Sequence, residues 1–63
     1  MQYNIRKYRL EQNKSQQKLA EESGVSRAVI SGLESGTIVV TTTDTLIKIA
    51  TALGKKVSEI FLD

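Results

Sequence analysis

"SQQKLAEESGVSRAVISGLESG", Ser15 to Gly36, is the stretch whose reading decides the fold. It holds two segments with helical spacing and a very short join. Ser15 is a good N-cap, because its hydroxyl can accept one of the backbone N–H groups left free at a helix start. The segment it opens runs through Leu19 and Ala20 to Ser23, where Gly24 stops it. Ser26 caps the second segment, which sets Ile30 and Leu33 on one face before Gly36 closes it. Only Gly24, Val25 and the cap serine separate the two. Gly24 can take the positive φ that a tight helix stop needs, and Val25 plugs the turn into the core. Ala20 has to be small, because the two helices cross there.

The flanking sequence extends the same pattern. Upstream, a segment from roughly Gln2 to Gln12 places Ile5, Tyr8 and Gln12 on one face with Arg9 beside them, and Asn13 tolerates the left-handed conformation that ends a helix. Downstream, Thr37-Ile38-Val39-Val40-Thr41 is entirely β-branched, but it has no partner strand elsewhere, so it reads as an extended connection. Thr41 or Thr42 then caps a fourth segment, with Asp44 favouring the positive end of the helix dipole. Leu46, Ile47, Ile49, Ala50 and Leu53 are its apolar stripe, and Gly54 stops it. A last short turn, Val57 to Leu62, offers Val57, Ile60 and Phe61. The class is all-α: five short helices around one core. The chain's 63 residues imply one domain, 1–63, with its two-helix unit at about 15–35.

Composition narrows the chemistry. A domain of this size buries only ~60% of its unfolded surface, so its stability is marginal. There is no cysteine to staple it, which fits a reducing, cytoplasmic compartment, and no histidine to act as general base or zinc ligand. No apolar run approaches the ~20 residues that span a bilayer, and no signal-peptide pattern opens the chain. The sequence has no clustered carboxylates and no glycine-rich phosphate loop. Glu21 and Glu22 are adjacent on a helix, so their side chains diverge. An enzyme, a metal site and a cofactor are therefore not expected. The formal net charge is +2, distributed unevenly. Residues 1–18 hold five cations against one acid, a net of +4, and residues 19–63 four cations against six acids, a net of −2. The N-terminal third is thus the expected face for an anionic partner.

Two helices of this length joined by a glycine turn form a helix-turn-helix, a unit whose first helix crosses the DNA backbone and whose second lies in the major groove. The stretch from Ser15 to Gly36 resembles the helix-turn-helix of the Cro and phage-repressor family, also called the XRE family. The resemblance extends through "IRKYR" to that family's first helix, through "DTLIKIATALG" to its fourth and through "VSEIF" to its fifth. It covers nearly the whole chain and implies a lambda-repressor-like fold. By matching position it implies phosphate contacts from Ser15, Gln16, Gln17 and Ser26, at helix N-termini that favour anions. It also implies base readout from Arg27, Ala28, Ser31 and Gly32, and an ion pair between Arg9 and Glu34 that positions the second helix of the unit. Each has a plainer reading beside it: both serines cap helices with or without DNA, and Gln16, Gln17 and Arg27 suit a solvated face.

The departures from the family pattern are informative. Gly32 stands where many relatives carry a long polar or basic residue, and it permits close approach of a backbone, either DNA or partner. Ala28 is too short to hydrogen-bond a base. Direct readout therefore rests on Arg27, which can grip guanine O6 and N7, with methyl contacts from Ala28 and Val29. Lys56 sits where the last helix usually has a cap, with Ser58 as the candidate to compensate. Ile38, Val39 and Val40 cannot all face one core, since neighbours in an extended segment point to opposite sides. With Phe61 and Leu62 they are candidate glue for a homodimer. The expected function is a sequence-specific regulator of double-stranded DNA, a repressor that binds a palindromic operator as a homodimer. The alternative is an antitoxin-like or regulator-binding module that presents the same fold to a protein partner.

Overall fold

The computed structural model of the chain describes residues 2–38 and 40–62, with the backbone alone for Gln2, Phe61 and Leu62. The elements run β1 (Gln2–Tyr3), α1 (Ile5–Glu11), α2 (Gln16–Ser23), α3 (Arg27–Ser35), α4 (Thr43–Leu53), α5 (Val57–Ile60) and β2 (Phe61–Leu62). Five helices enclose the core, whose fully buried side chains are Ile5, Leu19, Ile30, Ile49 and Ile60, one from each helix. Among the described residues no helix is long and apolar enough to cross a membrane.

The first helix starts three residues later than its sequence pattern suggests. Tyr3 and Ile5 are both buried. Residues two apart do not share a helix face, so both reach the core only if the helix begins after Tyr3. The segment before it is instead extended and pairs antiparallel with the chain's other end, Gln2 opposite Leu62 and Tyr3 opposite Phe61. The Asn4 N–H donates to the Ile60 carbonyl at 2.7 Å and continues the pairing. Phe61 and Leu62, expected in the last helical turn, are thus in β2. Among the described residues this two-residue ribbon is the one addition to the all-α plan.

The helix ends follow side-chain chemistry. Ser15, Ser26 and Thr42 each accept a hydrogen bond from the backbone N–H three residues on, so Thr42 is the cap of α4. Asn13 has φ 57°, and two backbone bonds around it, Lys14 N–H to the Arg9 carbonyl and Asn13 N–H to that of Leu10, close α1 with a Schellman motif. Gly24 takes φ 75° in the turn between α2 and α3, where no intervening residue but Val25 precedes the next cap. The short last helix is capped by Glu59, whose Oε2 accepts from the Lys56 N–H at 3.1 Å. Ser58, the expected compensation for Lys56, is exposed, and the reach-back glutamate supplies what a capping box would.

Helix α4 buries Leu46, Ile49, Ala50 and Leu53, but Ile47 is 47% exposed. It lies about 100° around the helix from Leu46, outside the arc the other four share. The C-terminal carbonyls of α4 have no partners within the helix. Gln12 Nε2 donates to the Leu53 carbonyl at 2.7 Å and Lys14 Nζ to the Ala52 carbonyl at 2.9 Å. Two side chains from the α1–α2 turn thereby fasten that turn to α4.

Candidate nucleic-acid interface

Helix α3 has two sides. Ile30 and Leu33 point into the core and Val29 is half-buried, while Arg27 and Ala28 are exposed and Ser31 is half-buried on the outer side. The Ser26 cap leaves the first N–H groups of α3 at the surface, next to Arg27. Ser15 does the same for α2, followed by exposed Gln17 and half-buried Gln16.

Arg9 and Glu34 fix α3 to α1. Arg9 Nε donates to Glu34 Oε2 at 2.8 Å and Nη2 to Oε1 at 2.9 Å, the fork-to-fork geometry that planar guanidinium and carboxylate groups favour. The side chains are 10% and 4% exposed. Two further bonds complete the network: Arg9 Nη1 to the Lys14 carbonyl at 2.8 Å, and Gln16 Nε2 to Glu34 Oε1 at 3.2 Å. The hydrogen bonding to Glu34, opposed by burial and aided by the carboxylate charge, holds the Arg9 guanidinium still more firmly protonated than usual. No buried side-chain polar atom among the described residues lacks a partner. Buried charges are tolerated only when satisfied in this way, so the network gives α1, α2 and α3 one relative arrangement.

Beside the pair lies an open pocket of about 200 Å³, lined by Arg6, Arg9, Gln16, Ser31, Glu34 and Ser35. It joins the N-terminus of α2 to the outer side of α3. Gln16, expected as a phosphate contact, is oriented here by Glu34, and Gln17 donates to Glu21 of its own helix at 3.3 Å. Arg6 was missed by the sequence reading. Its spacing from Arg9, three residues along one helix, was the signal that both share a face.

The charge count also changes. Of the five cations in residues 1–18, Arg9 is consumed by Glu34, and Lys14 by Glu22 at 2.8 Å and the α4 terminus. Arg6, Lys7 and Lys18 remain exposed, and with Arg27 they make up the cationic surface of α1 to α3. Lys7 and Lys55 flank the Tyr8 ring, at 5.7 and 4.8 Å from its centroid.

The position of Gly32 was not foreseen. It is buried, and Ile38 lies over it: an ideal Cβ at 32 would stand 2.5 Å from Ile38 Cδ1 and 2.6 Å from Cγ1. The Ile38 N–H donates to the Gly32 carbonyl at 3.0 Å. The close approach that this glycine permits is therefore made by a side chain of the chain's own loop. The surface at position 32 is Ile38, not glycine backbone, and a base contact from Gly32 itself has no open path. Of the candidate dimer residues, Ile38 is half-buried and Val40 is 85% exposed, whereas Val39 and the side chains of Phe61 and Leu62 lie outside the described residues.

Comparison with known proteins agrees with this geometry. No curated protein matches the chain. A family model described as helix-turn-helix matches residues 5–60, a span that takes in all five helices. With α2 and α3 joined by a glycine turn inside a lambda-repressor-like helical fold, the chain belongs to the helix-turn-helix family of XRE/Cro type, a family of DNA-binding regulators.

Proposed function

We propose that the domain, residues 1–63, is a sequence-specific transcriptional regulator of the repressor kind, which acts in the cytoplasm by binding a palindromic operator as a homodimer. The observation that carries this reading is the outer side of α3. It projects Arg27 from a helix locked in place by the Arg9–Glu34 pair, beside two serine-capped helix N-termini. In the major groove Arg27 grips guanine through O6 and N7, Ala28 meets a thymine methyl and Ser31 bonds a base edge. Ser15, Gln16, Gln17 and Ser26 hold phosphates at the two helix starts. The domain acts by binding, not by catalysis, and needs no cofactor.

One copy offers a single long base-reading side chain, so affinity requires a second. A two-fold dimer reads half-sites about one helical turn apart, ~34 Å. Exposed Val40 supports the 37–41 connection as part of the contact, with Val39, Phe61 and Leu62 as its other members.

Titration of mixed duplex DNA across a salt series tests the reading. Each neutralised phosphate contributes a slope of about −0.9 in log K against log salt. A slope of several units is expected from the exposed Arg6, Lys7, Lys18 and Arg27. A flat dependence would overturn the proposal and favour a protein-binding module on the same fold.

A further inference from the structure

The outer side of α3 carries a side chain that does not belong to α3. Position 32 lies one helical turn beyond Ala28, so a residue there would project beside the Ala28 methyl. Gly32 projects nothing, and Ile38 fills the volume instead. Its Cγ1 and Cδ1 occupy the place of a residue-32 side chain, and its N–H is tied to the Gly32 carbonyl at 3.0 Å. Ile38 packs against the edge of the core but is only half-buried, so part of it stays at the surface beside α3. Any larger residue at 32 would expel it.

We infer that Ile38 is a specificity-determining residue, which uses the vacancy at Gly32 to place an aliphatic side chain on the recognition face, beside Ala28, where it selects a thymine through its C5-methyl group. The inference rests on the proposal that α3 enters the major groove. In that groove the thymine methyl is the one apolar group that protrudes, beside donors and acceptors on every base. Isoleucine can satisfy none of these. Opposite cytosine N4 or guanine O6 it would strip water without replacing a hydrogen bond, a cost that disfavours those bases. Opposite thymine it buries a methyl group. The loop therefore supplies the letter that the glycine gives up.

The test uses an operator recovered from a random duplex pool. Each thymine is replaced in turn by deoxyuridine, which removes only the methyl group. Burying one methyl is worth ~0.8 kcal/mol, or about fourfold in affinity. Wild-type protein is expected to lose about fourfold at each thymine whose methyl it meets, and Ile38→Ser, which carries no methyl group, is expected to lose nothing further at one of them per half-site. Gly32→Ser, whose Cβ meets Ile38 at the same place but which brings no methyl group of its own, is expected to abolish the same dependence. Circular dichroism of both variants checks that they fold. Deoxyuridine effects of equal size at every thymine in wild type and Ile38→Ser, or no effect at any thymine, would overturn the inference while leaving DNA binding intact. Failure to recover any bound duplex would overturn the DNA-binding reading itself, and this inference with it.

Discussion

Replacing Glu34 by alanine strips the buried Arg9 of its charged partner. The Arg9 guanidinium is nine-tenths buried and makes two of its three side-chain bonds to Glu34. Without the carboxylate it becomes a buried charge with only the Lys14 carbonyl for company, a situation that costs about 3–5 kcal/mol. A folded domain of this length has only ~3–9 kcal/mol in total, at 0.05–0.15 kcal/mol per residue. The variant should therefore lose a third or more of its stability, and its Tm should fall by more than ~10 °C. Urea unfolding followed by circular dichroism at 222 nm measures the loss directly. The companion is Arg9→Met with Glu34→Leu, which removes both charges together. It should recover most of the loss, because an apolar pair of similar size often equals a buried ion pair. Recovery should stop short of wild type, since the Lys14 carbonyl and the Gln16 amide each lose a partner, worth about 1 kcal/mol apiece. A cost below ~1 kcal/mol for Glu34→Ala, the value of an exposed pair, would refute the reasoning.

Three more outcomes follow from other sites. Gly32→Ala gains up to ~1 kcal/mol of helix propensity, but its Cβ would meet the anchored Ile38 at 2.5 Å, and such overpacking costs ~1–3 kcal/mol. A net loss near 1 kcal/mol is expected in urea unfolding, and a gain would show that Ile38 is not seated there. Arg27→Ala should cost ~1–3 kcal/mol on a selected operator and relax preference at one base per half-site; an equal loss on every sequence would make Arg27 a phosphate contact. The Lys14 hydrogen bond and charge hold the Glu22 carboxyl below its usual range. A lowered folded value means that this contribution is present above the ordinary carboxylate range and lost as the pH falls through the folded value. The Tm gap between wild type and Glu22→Gln should therefore be visible at neutral pH and close in acid; a gap that widened in acid would contradict the assignment.

What the sequence revealed and what it hid divide along the range of the interactions. Caps, stops and apolar stripes depend on residues three or four apart, and they were legible: Ser15, Ser26, Asn13 and Gly54 do in the structure what their chemistry suggests. The Arg9–Glu34 pair joins residues 25 apart, and it was visible only through resemblance, because nothing local says that two charges on different helices will meet. Long-range contacts without a family precedent were hidden. The ribbon of Gln2–Tyr3 with Phe61–Leu62 depends on where the chain ends come together, which no periodicity encodes. Gln12 reads as part of the first helix's face and Lys14 as one of the cations of the N-terminal third, yet each completes a carbonyl on α4 about forty residues away. Gly32 showed the limit most clearly. The glycine marked a close approach, but the partner, Ile38, looked like an interface residue until the loop's path over α3 was known.

Selection of bound fragments from a random double-stranded DNA pool tests the central claim most directly, because it assumes neither operator nor partner. The account predicts enrichment of a palindrome with half-sites about 34 Å apart, the spacing of one helical turn between two α3 helices. Each half-site should carry a guanine for Arg27 and a thymine beside it for Ile38. Recovery of no enriched duplex at low salt, where phosphate contacts are strongest, would contradict it.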